Sequence, residues 1–387
     1  MDRSILVIGR SDIVFIKRLL QNIKALSRSD LGIELLDNRH YVEEVCDREI
    51  PYKVYGLHVS RYCRLLFRIP VLRVFLRMFF EYTTLKEILK HGRYDAINIQ
   101  ELPFYSWIYV KCAHKYGIKA ILTPIGSDAL RVKGWTRFFL QKGFDLADYV
   151  TITADSGFAE KVIGKFNINK NIIKDLSYGS DAISEIIRMK GHYSREKLAQ
   201  MLNIPYAGYY ICCGYNAYLA QNHIDILRAV AANSDRLPKG CKVLFPLGYG
   251  PGESVRKVIE QENKSLELDV VYLMDYLSPR DVAALRLITD LFIHIQNTDA
   301  HCFTMREFLL ADTQVINGKW LSYSELEQFG KPYYECESKD TLKDVLALFF
   351  KEELPRIECP AELETKMQQS SWDSVAQRWV DFYIRLN

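Results

Sequence analysis

The sequence predicts an α/β protein of two Rossmann-like, doubly wound domains that face a cleft. Three observations carry this expectation. Short apolar, β-rich runs alternate with amphipathic helical stretches, the pattern of parallel sheets covered by helices. Many of those runs end in glycine or polar turns, as Ser4–Ile8 does at Gly9 and Val243–Leu247 does at Gly248. The chain has 387 residues and 49% hydrophobic content, enough for two cores. The expected domains are 1–182 and 183–365, with a hinge at Leu176–Asp181 and a terminal helical segment at 366–387.

Composition excludes several functions. A net charge of +3 argues against a dedicated nucleic-acid binder. Nine cysteines at irregular spacing, with no Cys-x-x-Cys pair, suggest buried, reduced thiols in a cytosolic protein, not a disulfide framework or zinc site. The start, MDRSILVIGR, is too short and too quickly charged for a signal peptide. No apolar run reaches the ~18 residues of a spanning helix, so a soluble or membrane-peripheral protein is expected.

In chain order, Ser4–Ile8 is a buried strand, and Gly9-Arg10-Ser11 is a turn able to face a phosphate at the start of the next helix. It is not a G-x-G-x-x-G fingerprint, so no dinucleotide is indicated. Residues 57–90 alternate arginines with Phe and Leu, and Pro70 divides them into two helices. Arg61, Arg64 and Arg68 share one face of the first; Arg73, Arg77 and Glu81 share one face of the second. Such basic amphipathic helices suit a membrane surface, while a core helix pair with arginine stems reaching solvent is the alternative. Strands at 93–100 and 118–122 place Glu101 and Asp128 at carboxyl ends, where each can be a general base or a helix cap. A further strand follows at 149–153.

The second domain repeats the scheme. The strand Tyr209–Cys213 leads into a polar loop, Gly214-Tyr215-Asn216 through Asn222-His223. Val243–Leu247 ends at Gly248-Tyr249-Gly250, and Val270–Leu273 precedes Asp275-Tyr276 and a helix opened by Ser278-Pro279. Asp290–Gly318 is the central unit. It has a strand at 291–295, a polar loop, a helix whose Thr304-x-x-Glu307 spacing fits a capping box, and a strand at 314–316. Asp299 and Glu307 could accept hydrogen bonds from sugar hydroxyls, or be a solvated loop residue and a cap. Trp372, Val375, Ala376, Trp379, Val380, Tyr383 and Ile384 recur at helical spacing, as a docking face would.

Over most of residues 90–340 the chain resembles the GT-B glycosyltransferases, especially those of family 4. The resemblance lies in TPIGSDALR, in ADYVTITADS followed by LSYGSD, in VYLMDYLSPRDVAAL, and in an E-x7-E pair with Asp299 in place of the first Glu. It implies a sugar transferred from a nucleotide-sugar donor, which is substrate and not cofactor, and no D-x-D motif suggests a bound divalent ion. Glu307 would hold the donor ribose, Asp299 the transferred sugar, and the N–H groups near Phe303 and Thr304 the diphosphate. Gly9, Arg10, Gly214, Tyr215, Asn216, Asn222, Gly248, Tyr249 and Tyr276 complete the implied donor site. The last helix would cross back onto the first domain.

The sequence departs from family 4 in two places. The 214–223 loop has no Arg or Lys to neutralise a diphosphate, and Gln100 stands at the usual histidine. That loop and PLGYG at 246–250 resemble family 56, the inverting 4-acetamido-fucosyl transferases. Retention is expected ahead of inversion; inversion would need Asp128 or Glu101 as base. The expected acceptor is a lipid-linked or cell-surface glycan of bacterial-type polysaccharide synthesis, met at the inner face of the cell membrane. The rival expectations are a non-catalytic GT-B partner subunit or glycan-binding protein and a nucleotide-sugar epimerase.

Overall fold

The computed structural model describes residues 3–26, 31–41, 50–59, 61–152, 157–176, 178–297, 303–321 and 323–386. Contacts divide the chain into two units, Met1–Gly179 with Trp372–Asn387, and Ser180–Ser371.

The first unit holds strands β1 (Arg3–Gly9), β2 (Leu31–Tyr41), β3 (Lys53–Leu57), β4 (Ala96–Gln100), β5 (Lys119–Thr123), β6 (Tyr149–Ile152) and β7 (Ile173–Asp175). Its helices are α1 (Val14–Leu26), α2 (Arg61–Leu66), α3 (Pro70–His91), α4 (Ser106–Lys115), α5 (Ser127–Leu130), α6 (Gly134–Leu146) and α7 (Gly157–Lys165). The second unit holds β8 (Tyr210–Cys213), β9 (Lys242–Pro246), β10 (Val270–Leu273), β11 (Leu291–His294), β12 (Gln314–Gly318) and β13 (Tyr334–Cys336). Its helices are α8 (Asp181–Met189), α9 (Arg195–Met201), α10 (His223–Ala231), α11 (Gly252–Asn263), α12 (Pro279–Ile288), α13 (Phe303–Leu310), α14 (Ser324–Glu327), α15 (Leu342–Phe350) and α16 (Ala361–Gln368). The last helix, α17 (Trp372–Ile384), belongs to the first unit and packs on α1.

Both sheets are parallel, ordered β3-β2-β1-β4-β5-β6-β7 and β10-β9-β8-β11-β12-β13. Each is covered on both faces, which is why its strands read as continuous apolar runs. In β1, Ile5 and Val7 join the core under α1 and α17, while Leu6 and Ile8 join the core under α3, α4, α6 and α7. In β8, Tyr210 and Cys212 face α8, α12 and α13, and Ile211 and Cys213 face α10, α11 and α15. Burial pushes the Cys212 thiol up to about 12, so it packs as a neutral apolar group. Strand order reverses between β1 and β4, and again between β8 and β11, and in such sheets ligands bind beyond the carboxyl ends at those reversals.

Some local features differ from the sequence reading. β2, β3, β7 and β13 were not anticipated. Pro70 does divide the arginine-rich segment, and it opens α3 at N1, where its missing N–H costs nothing. Glu81 of α3 is buried, so the face that it shares with Arg77 points inward. Tyr105 donates to Glu81 at 3.0 Å, Tyr109 donates to it as well, and Arg77 lies 3.8 Å away. Burial pushes the Glu81 carboxyl up to about 8, against the pull of Tyr105 and Arg77.

A polar ladder also crosses the first sheet. Asn98 donates to Tyr383 of α17 at 2.6 Å, and Thr123 bonds Asn98 at 2.8 Å and Thr151 at 2.6 Å. All four residues are buried, so the α17 contact fixes a hydrogen bond as well as an apolar face.

The folded protein holds a proton on Glu81 that the unfolded chain has released above its ordinary 4.5. Stability contributed by Glu81 therefore falls as pH rises from about 4.5 to about 8 and is level above that, with a slope of up to about 1.4 kcal/mol per pH unit. Urea denaturation across this range should show the wild-type decline relative to Glu81→Gln; parallel profiles would contradict the burial argument.

Candidate functional site

At the reversal of the first sheet, Gly9 lies so near Gln100 and Ile16 that an added Cβ would sit 2.9 Å from the Ile16 Cδ1. Arg10 follows, held by Asp12 at 2.9 and 2.6 Å and lying 3.6 Å from Glu101. Glu101 follows β4 with φ +59, a left-handed conformation costing a non-glycine residue about 1–3 kcal/mol. Burial raises the carboxyl of Glu101, Arg10 and Arg39 lower it, and Asp128 raises it again. A half-buried carboxyl set near cations and a second carboxylate suits proton transfer.

Asp128 is placed differently. Its oxygens accept backbone N–H groups of Leu102 at 2.9 Å, Ile125 at 3.1 Å and Gly126 at 2.6 Å. It ties the loop after β5 to the loop after β4. Gln100 is fully buried; Tyr178 donates to its Oε1 at 3.1 Å, and its Nε2 has no partner among the described residues. Beside them Asp37 is buried. Its own burial pushes it up, but Ser11 and the Arg39 and His40 backbone outweigh this and hold it below the usual carboxylate range.

At the reversal of the second sheet, Gly214 has φ +67, and an added Cβ would lie 2.9 Å from Gln221 Oε1 and 3.2 Å from His223 Nε2. Only glycine suits this turn. Tyr215 and Gln221 both donate to Gln296 Oε1, at 3.1 and 2.7 Å. The buried Gln296 Nε2 and His223 Nε2 have no partner among the described residues. Burial pushes the His223 imidazole down to about 4, so it is neutral at pH 7. Asn216 accepts the Tyr218 N–H at 3.0 Å. Asn222, at φ +60, bonds the Ile295 carbonyl at 2.6 Å and receives the Lys339 ammonium at 2.7 Å. The loop without a cation of its own therefore gains one from the segment after β13. Lys339 has no local motif, and its separation from the loop hid it from sequence reasoning.

Gly248 lies against the Asp275–Tyr276 peptide; an added Cβ would fall 1.9 Å from the Asp275 carbonyl oxygen. The exposed rings of Tyr218 and Tyr249 meet edge to face at 5.7 Å, and Tyr276 is more exposed than either. Ser278 and Asp281 form the anticipated cap of α12.

The capping box expected at Thr304 and Glu307 does not form. α13 begins at Phe303, which places Thr304 inside the helix, and Glu307 is buried against Arg286 at 3.1–3.2 Å and Ser180 at 3.4 Å. Packing decides this, because Arg286 stacks 4.3 Å over Phe308 and needs an anionic partner. Burial raises the Glu307 carboxyl, against Arg286. Asp299 lies outside the described residues.

Of the five arginines, Arg68 and Arg73 are exposed. Arg77 turns to Glu81, and Arg64 stacks 4.1 Å over Tyr41. The Arg61 side chain is outside the described set. No helix among the described residues is long and apolar enough to cross a membrane. A hollow of about 540 Å³ lined by Glu34, Lys53, Tyr55, His58, His91 and Tyr94 lies at the amino ends of the first sheet's strands, away from the reversal.

No family model matches the chain, and no curated protein matches it in sequence. Solved structures match it end to end. A glycosyltransferase from Rickettsia africae aligns with TM-score 0.66 at 12% identity, over 99% of this chain and 98% of its own. The lipopolysaccharide outer core galactosyltransferase WaaB aligns with TM-score 0.64 at 13% identity, over 98% and 99%. Anabaena HepE in complex with UDP aligns with TM-score 0.63 at 13% identity, over the whole of both chains. The chain has the GT-B fold. These likenesses establish architecture, and the residues above must argue chemistry.

Removing one partner of the Arg286–Glu307 pair strands a buried charge. Arg286→Met should cost about 3–5 kcal/mol, and Arg286→Met with Glu307→Gln should recover most of it. Denaturation midpoints check this; a single variant within 1 kcal/mol of wild type by the same scale would show that the pair is not desolvated.

Proposed function

We propose that this GT-B protein is a glycosyltransferase that moves a sugar from a nucleotide-sugar to a lipid-linked or cell-surface glycan. The carrying observation is the match over whole chains to two glycosyltransferases and to HepE, which is solved in complex with UDP-glucose. The second unit supplies suitable parts. The N-terminus of α13 at Phe303 and Thr304 offers N–H groups to a departing diphosphate. Gly248, pressed on the Asp275–Tyr276 peptide, keeps the Tyr249 and Tyr276 rings beside the carboxyl ends of β9 and β10. Gly214, Tyr215, Asn216 and Asn222 shape the neighbouring loop. In this reading Glu307, oriented by Arg286, holds the donor ribose and Asp299 the transferred sugar. Gly9 and Arg10, at the strand-order reversal of the first sheet, are read as further donor contacts.

Transfer passes through an oxocarbenium-like state while the nucleoside diphosphate leaves. Retention is the reading preferred here, with the donor phosphate taking the acceptor proton and no metal required. Should the reaction invert, Glu101 suits the base better than Asp128, whose oxygens are occupied by three backbone N–H groups. Arg68 and Arg73 on the arginine-rich segment fit work at the inner membrane face, where lipid-linked acceptors lie.

A second reading, a non-catalytic GT-B partner subunit, is favoured by one observation. Gln221, Gln296 and Tyr215 form a neutral network where a diphosphate would need positive charge.

A thermal-shift panel of UDP-, GDP-, dTDP- and CMP-sugars separates the two. A donor at ~100 times its dissociation constant should add ~2.7 kcal/mol to stability. Glu307→Gln leaves Arg286 without its anion and should lower the melting temperature, and at temperatures where it is folded it should show no donor-induced shift. Silence across the panel, with and without a glycan acceptor, would favour the partner subunit.

A further inference from the structure

We propose that the outer face of α6, together with Trp107 of α4, seats this protein on an anionic lipid surface. α6 has two apolar faces. Leu140, Gly143 and Phe144 are buried against the first sheet and α4. Gly143 permits the approach, since a Cβ there would lie 3.1 Å from Ser106 Oγ. Trp135, Phe138, Phe139 and Lys142 form the opposite stripe, at i, i+3, i+4 and i+7. Trp135 is 62% exposed and Phe138 58%. Large rings gathered on one helix face form a patch, unlike the scattered apolar residues of an ordinary surface.

The rings hold one another in place. Phe104 meets Trp135 at 4.8 Å, Phe138 meets Phe139 at 5.5 Å, and Trp107 stacks on Phe139 at 6.1 Å. Cations surround them. Lys142 lies 4.6 Å over Phe138 and Lys111 lies 5.1 Å over Trp107, while Arg131, Lys133 and Arg137 are exposed nearby. Of the acids on these elements, Asp128 is held by backbone N–H groups, and Asp145 accepts from Gln141. Rings that enter the headgroup boundary, ringed by lysine and arginine that meet lipid phosphates, are the chemistry of interfacial binding. That charge balance is what selects an anionic membrane over an apolar protein partner.

The patch differs from the arginine-rich segment, whose exposed rings, Phe75 and Phe79, lie on α3. Since α3 packs on α4 and α4 on α6, both belong to one helix layer. The inference rests on the proposed function only for its use, which is to bring the protein to a lipid-linked acceptor. Binding itself is measured without substrate.

The test is flotation of the full chain with phosphatidylglycerol/phosphatidylethanolamine vesicles and with phosphatidylcholine vesicles, at low and high salt. Wild type should bind the anionic vesicles, less so in salt. Trp135→Ser with Phe138→Ser should lower partitioning at least ~10-fold, from the apolar area withdrawn. Its circular dichroism and its donor-induced thermal shift should be unchanged. Trp135→Phe should still bind and should lose part of the quenching of tryptophan fluorescence by brominated lipid. Any of four results would overturn the proposal: no vesicle binding, equal binding to both lipids, loss only in Phe75→Ser with Phe79→Ser, or a dimer that the Trp135/Phe138 variant dissociates.

Discussion

In each unit the chain starts in the middle of the sheet and winds outward in both directions. Strand order therefore reverses beside β1 and beside β8, and the crossover helices part there. Everything else in the structure conforms to this. Strand interiors are apolar on both faces because helices cover both. Polar and charged groups gather where the carboxyl ends open at the reversals: Arg10 and Glu101 in the first unit, Gly214, Gln221 and Gln296 in the second. The left-handed backbone at Glu101 lies at that edge, where strain is retained only if the surrounding structure enforces it.

Buried charge is handled in two ways. Arg286 and Glu307 face one another at 3.1 Å, with Phe308 against the guanidinium, and burial still raises the Glu307 carboxyl against that pull. Glu81 takes its hydrogen bonds from two phenols, with Arg77 no nearer than 3.8 Å, and desolvation favours its neutral form. The distinction comes from geometry. At 3.1 Å, with a direct hydrogen bond, a guanidinium offsets more of a carboxylate's lost hydration than one at 3.8 Å beside phenols that supply the hydrogen bonds.

The 214–223 loop takes its electrostatics from outside itself. It turns tightly at Gly214 and is left-handed at Asn222, and Tyr215 and Gln221 both donate to one glutamine oxygen. Lys339 supplies a positive charge from another part of the chain. The loop's electrostatics thus depend on a contact between segments more than a hundred residues apart.

Reading the sequence alone located the strands β1, β4, β5, β6 and β8 through β12, because buried parallel strands are continuous apolar runs bounded by turns. It also found the Ser278 cap and the break at Pro70, whose causes lie within a few residues. It did not find β3, β7 or β13, which are short edge strands, or β2, an 11-residue interior strand whose second half is polar and whose strand state comes from pairing with β1 and β3. Glu307 illustrates the limit. Its spacing from Thr304 describes a capping box, and local chemistry permits one. Arg286, 21 residues earlier, takes the carboxylate instead, because α12 and α13 pack side by side. Likewise the arginine stripe reads as one basic face, while Glu81 turns Arg77 inward. Local periodicity determined the longer helices and the buried, apolar strands. Which side of each helix is buried, and which charge meets which, was decided only when the sheets closed and desolvation made each buried ion find a partner.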